Sequence, residues 1–188
     1  MADSAASIPP AGRVAHLRLM ARYNAWMNER LYAAAAKLPA DEIAANRGAF
    51  FGSILGTLNH LMVGDTIWLK RFADHPAAWP ALDPVRALPM PASLDAILYG
   101  EFAPLEAARK RLDATIEAWA ATVEEPQLDA LLAYRTTKGV PCRRRFFSLA
   151  MHFFNHQAHH RGQATTLLSQ AGIDPGVTDL LVLIPDEA

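Results

Sequence analysis

The chain has 188 residues, 52% apolar and 20% charged, with a formal net charge of −1. These values fit one globular domain large enough to bury a core, and they argue against nucleic acid as a general partner. A single cysteine, Cys142, excludes an intrachain disulfide framework. No apolar run reaches the roughly 18 residues of a membrane span, and the opening MADSAASIPPAGR lacks a signal-peptide pattern, so a soluble cytoplasmic protein with no membrane partner is expected.

Residues 1–12 are small, polar and Pro-containing and read as a disordered N-terminal segment; residues 13–188 read as the single domain. Arg13–Leu38 is predicted as the first long helix, because Leu17, Met20, Ala21, Asn24, Met27, Leu31 and Ala35 recur at helical spacing. Pro39 closes it, and a short turn follows at Ala40–Ala45. A second helix is expected from about Ser53 to Phe72, its start rich in small residues that admit a neighbouring helix closely. On it, His60 shares a face with Gly56, Thr57, Val63, Gly64 and Ile67 and so points inward. Asp74–Ser93 holds five prolines, which no helix survives; it reads as a long crossover packed down by Trp79, Leu82 and Leu88. A third helix is predicted over Ser93–Thr122, capped by Ser93, with Pro104 imposing a kink or a start nearer Ala103. Leu131–Thr137 and the residues after Lys138–Gly139 suit a short β-hairpin. A fourth helix is expected over Arg144–Ala171, the arginine triplet Arg143–Arg145 forming its solvated start, with Gly172 and Pro175 beyond its end. The apolar LLVLIP tail should lie back against the helices. Four long helices with a long connection between the second and third give an all-α four-helix bundle.

The fourth helix carries the chemistry. Four of the seven histidines lie in it, and His152, His156 and His160 follow at i, i+4, i+8, on one face. Buried imidazoles each need a partner, so such a face is poor core but good metal-ligand material. His156 and His160 supply two ligands and a third must come from another helix. His60 is the only histidine placed inward on a different long helix: His16 is near a helix start and His75 lies in the proline-rich connection. The candidate metal ligands are therefore His60, His156 and His160. His152, one turn back, would replace a ligand or fix the tautomer of one, and Gln163 and Asp65 are further candidates for holding a ligand ring from behind. Asp65 reads equally well as a surface charge. His159 belongs at the edge of the face, Arg161 on an acidic side chain or the helix end, and Gly162 at a close helix approach. Cys142 follows a proline in a connection, with no histidine placed to activate it.

The run His156-Gln157-Ala158-His159-His160-Arg161-Gly162-Gln163, with Asn59-His60 upstream in a helix holding Trp68, resembles the DinB/YfiT-like family over about Leu17–Leu168. The resemblance implies a four-helix bundle with a long crossover and carries the family's three histidine ligands onto His60, His156 and His160. It also implies zinc or nickel as the cofactor, a homodimer, and a small-molecule partner such as a low-molecular-weight thiol, used by transferases and isomerases of the family.

Three functions fit the residues. A metal-dependent enzyme, a thiol S-transferase or isomerase or else a hydrolase, requires an open coordination position. A structural metal requires a closed site, with His152 or Asp65 as the fourth ligand. A metal-free helical protein would satisfy its histidines by hydrogen bonds.

Overall fold

The computed structural model describes residues 12–186; the expected disordered segment, apart from Gly12, lies outside them. The described chain is mostly helical with one small sheet. The α-helices are α1 (Arg13–Ala35), α2 (Ala40–Ala44), α3 (Ile54–Ala73), α4 (Asp83–Arg86), α5 (Phe102–Thr122) and α6 (Phe146–Gln170). Strands β1 (Leu131–Arg135) and β2 (Pro141–Arg145) pair antiparallel.

Periodicity dictates the buried faces. In α1, Leu17, Ala21, Met27, Leu31 and Ala35 are buried as their spacing requires, together with the polar Asn24 and Asn28. Ser53 caps α3, its hydroxyl accepting from the Gly56 amide at 3.0 Å, which satisfies one of the orphan donors of the first turn. α1 packs against both α5 and α6, and α6 packs against α3. The core is apolar and aromatic: Phe72 meets Trp119 at 5.4 Å and Phe146 at 5.1 Å between ring centroids, and Trp79 closes over Phe146 at 5.3 Å. Edge-to-face and offset pairs of this kind contribute beyond their buried area.

Several expectations need correction. The proline-rich crossover does hold helix: a 3₁₀ turn at Pro80–Leu82 and α4, with Pro84 tolerated in the first turn, where its missing N–H costs nothing. Lys70 donates to the carbonyls of Val85, Arg86 and Leu88, closing the C-terminal end of that turn. Trp79 and Leu82 are buried, whereas Leu88 is exposed. The third long helix does not begin at Ser93 but takes the alternative that Pro104 offered, a start nearer Ala103. It starts at Phe102 behind Glu101, so Pro104 falls in its first turn and no kink is needed. The hairpin turns at Lys138–Gly139 as expected, with Gly139 at φ +77°, but it continues through Arg145. The arginine triplet and Cys142 are therefore strand residues, not a helix start and a connection. α1 stops at Ala35, before Leu38. The tail at Leu180–Leu183 is tethered by its neighbours, with the Tyr23 hydroxyl donating to the Thr178 carbonyl at 2.7 Å and Arg30 to that of Val177. Its apolar side chains Leu181 and Val182 stay exposed.

Candidate metal centre

α3 and α6 run antiparallel, so residues separated by one turn on α3 meet residues one turn back on α6. His60 meets His160, Gly64 meets His156 and Trp68 meets His152. This pairing brings His60, His156 and His160 together. The His60 Nε2 lies 3.1 Å from His160 Nε2 and 3.3 Å from His156 Nε2. One ring nitrogen from each of the three lies within 4.8 Å of the others.

Those distances are hard to reconcile with hydrogen bonding alone. His60 Nδ1 lies 2.7 Å from the Leu94 carbonyl oxygen, which only accepts, so Nδ1 carries the proton and donates. His160 Nδ1 donates likewise to Gln163 Oε1 at 2.7 Å. In the neutral rings both Nε2 atoms then present lone pairs to one another. A proton between them would relieve the repulsion, but protonation is disfavoured. Burial lowers the pKa of all three histidines, and for His156 burial followed by the charges of its neighbouring histidines lowers it to about 3. A cation relieves it without a proton. Four-coordinate tetrahedral zinc with nitrogen at 2.0–2.1 Å separates its ligand atoms by about 3.3–3.4 Å, close to the 3.1 and 3.3 Å found. The donor set and its spacing fit a divalent ion with imidazole preference.

The surroundings fix the rings. Phe51 stacks on His60 with centroids 3.8 Å apart and meets His160 edge-on at 5.5 Å. It is carried by a tight turn that needs Gly52 at φ +75°. Asn59, beside His60, exchanges both hydrogen bonds with the Tyr99 backbone, at 2.9 and 3.0 Å, and so clamps the crossover that supplies the Leu94 carbonyl. Gly64 leaves the space that the His156 ring fills. Phe51 and Gly64 carry no motif signal, whereas Asn59 stands beside His60 in the residues that carry the family resemblance, with no role of its own assigned there. Gly64 could have been suspected from its place on the His60 face, whereas Phe51 sits in a turn outside any helical period.

The remaining sequence candidates separate. Gln163 touches a ligand ring, as above. His152 lies one turn beyond the triad, its ring 6.1 Å from that of His156 and edge-on to Trp68 at 5.0 Å; burial, then the charges of Arg144 and Arg71, disfavours its protonation. His159 is exposed at the edge, as expected. His75 is a core histidine, accepting from the Ala77 amide at Nδ1 and donating to the Gln127 carbonyl. Asp65 is neither a surface charge nor in contact with a ligand ring: it is buried and takes a hydrogen bond from Arg109 at 2.6 Å. Arg109 also pairs with Asp113 at 2.8 Å, and Asp113 accepts from Asn24 and Asn28 of α1. Among the described residues Arg161 pairs with no carboxylate; it donates to the Asn24 side chain and lies over the Tyr23 ring, and its burial lowers its pKa to about 10. This buried polar network joins all four long helices behind the triad. Gly162 has open space where a Cβ would go, so no helix approaches it.

A family model described as the DinB family matches residues 8–186. No curated protein and no solved structure matches the chain.

Proposed function

The chain belongs to the DinB family, and from that premise we propose that it is a metal-dependent enzyme whose divalent cation, zinc or nickel, is held by His60, His156 and His160 inside a four-helix bundle. The observation that carries this reading is the pair of Nδ1-protonated rings, His60 and His160, whose unprotonated Nε2 atoms face each other at 3.1 Å. When bound, such a cation lowers the pKa of a coordinated water or thiol and so supplies a nucleophile near neutral pH.

The chain's own residues define the rest. Three neutral imidazoles would leave the ion its full charge. The Leu94 carbonyl and Gln163 hold two of the rings in the ligating tautomer. Phe51 covers one face of His60 and keeps water from it. The group of three contains no fourth histidine, cysteine or carboxylate among the described residues. Asp65 is committed to Arg109, and His152 is turned against Trp68. An open position beside three protein ligands is the arrangement of catalytic rather than structural zinc, which favours the enzyme over the staple. The family likeness points to a low-molecular-weight thiol as co-substrate in an S-transferase or isomerase reaction, and to a homodimer in the cytoplasm.

The test is metal content by mass spectrometry of protein purified without a metal-affinity tag, beside His156→Ala. Near-stoichiometric zinc or nickel, lost in the variant, is the expected result. Absence of metal from both, with the same melting temperature, would overturn the reading.

A further inference from the structure

Beyond His152 the site carries positive charge that the fold does not neutralise. Arg71 follows His60 by eleven residues, about 16 Å further along α3 and, at 100° per residue, on nearly the same face. Its guanidinium lies 4.5 Å from the Trp68 ring centroid and 5.0 Å from that of Tyr134. Nη2 donates to the Arg135 carbonyl at 2.9 Å. No carboxylate lies within ion-pair distance of Arg71 among the described residues, in contrast to Arg86, which has one, and to Arg13 and Arg109, which have two each.

The hairpin brings a second cation to the same place. Its register pairs Leu132 with Arg144 and Tyr134 with Cys142. Cross-strand partners share a sheet face, so Arg144 stands on the face that Leu132 buries against the helices. Arg144 likewise forms no ion pair among the described residues. A strip therefore runs from the triad through His152 and the Trp68 edge to two unpaired guanidinium groups. Arg71 rests against two aromatic rings that themselves meet at 5.5 Å between centroids, so its ordering is already accomplished before any ligand arrives. A guanidinium with free donors matches a carboxylate or phosphate in planar, two-point fashion.

We infer that Arg71 and Arg144 form an anion-recognition end of the substrate site, so that the molecule acted upon carries a carboxylate or phosphate on the order of 10 Å from the group it presents to the histidine triad. The inference rests on the metal-and-thiol reading above.

Three linear thiols of equal chain length decide it: mercaptohexanol, mercaptohexanoate and mercaptohexyl phosphate, each titrated by calorimetry into the zinc-loaded protein. The anionic thiols are expected to bind about tenfold more tightly than the neutral one, and the tighter of the two identifies the anion. In Arg71→Gln and in Arg144→Gln the advantage should shrink to about twofold or less, with mercaptohexanol unaffected. Arg144 is exposed on its strand, so its variant decides the matter if Arg71→Gln fails to fold. Equal binding of all three thiols to the wild type overturns the anion site while leaving the metal reading intact. Retention of the full advantage in both variants also overturns it. Failure of the neutral thiol together with the others removes the metal-and-thiol reading, and this inference with it.

Discussion

Replacing Gly64 with alanine should separate metal affinity from fold stability. Gly64 lies in the middle of α3, at ordinary helical φ. A Cβ built there would sit 2.6 Å from His156 Cε1 and 3.2 Å from its Nδ1. Ordinary contact begins near 3.4 Å, so the imidazole must retreat by roughly 0.8 Å or turn out of the site. Metal–ligand distances tolerate only about 0.2 Å. A displaced ligand ring should therefore weaken binding by about 10- to 100-fold, which corresponds to roughly 1.4–2.7 kcal/mol. The metal-free fold should not suffer to that extent, because alanine in a helix interior gains up to about 1 kcal/mol over glycine, offsetting the local crowding. Competition with a chromophoric zinc chelator measures the affinity, and urea unfolding in the presence of EDTA measures the fold. A zinc affinity within twofold of wild type would refute the placement of His156 against Gly64. Equal losses of affinity and of metal-free stability would refute the separation of the two roles.

Gln163→Leu removes the acceptor of the His160 Nδ1 proton and should lower zinc affinity about tenfold or more with little change in melting temperature of the metal-free protein; chelator competition reads this, and unchanged affinity would deny Gln163 a part in the site. Asp65→Ala leaves Arg109 buried beside Asp113 alone and should cost about 3–5 kcal/mol in denaturant unfolding, while zinc stoichiometry at saturating metal stays at one per chain; loss of stoichiometry in folded protein would make Asp65 a ligand after all. The pH dependence of the metal-free protein has a definite sign. Folding lowers the pKa of His156 from the ordinary 6.5 to about 3, so the unfolded chain binds the extra proton, and stability is fully present above about pH 6.5 and is lost as pH falls toward 3. Urea midpoints in EDTA at pH 7.5, 6 and 5 should fall more for wild type than for His156→Gln; parallel profiles would show that His156 does not titrate in this way.

What could be read from the chain is what helical periodicity encodes. The i, i+4 spacing of His156 and His160 and the inward face of His60 are local facts, and the triad followed from them. The apolar stripe of α1 was legible for the same reason. The polar network was not: Asp65 and Arg109 are 44 residues apart, and Asn24 and Arg161 are 137 apart. A single charged residue in a helix looks the same whether it faces water or a distant counter-charge. Arg143–Arg145 shows a different failure. The long polar side chains fit a solvated helix start as well as an edge strand, and only the pairing of Leu132 with Arg144 decides between them. Of the two starts offered for α5, Ser93 and a position nearer Ala103, the chain takes the later one at Phe102: Ser93 is a good cap by type, but its carbonyl closes a turn by accepting from the Ala96 amide, and Pro104 fits the first turn of the later helix.

The grip of the Leu94 carbonyl on His60 makes the centre answer to chain length more than to side-chain identity. A main-chain acceptor survives any replacement of the exposed Leu94 side chain, so sequence drift along the crossover leaves the imidazole where it is. Insertion or removal of one residue between the Asn59 clamp at Tyr99 and position 94 slides a different peptide group under the ring and changes its tilt. The crossover thus works as a spacer whose count, not its composition, sets the aim of one metal-facing nitrogen.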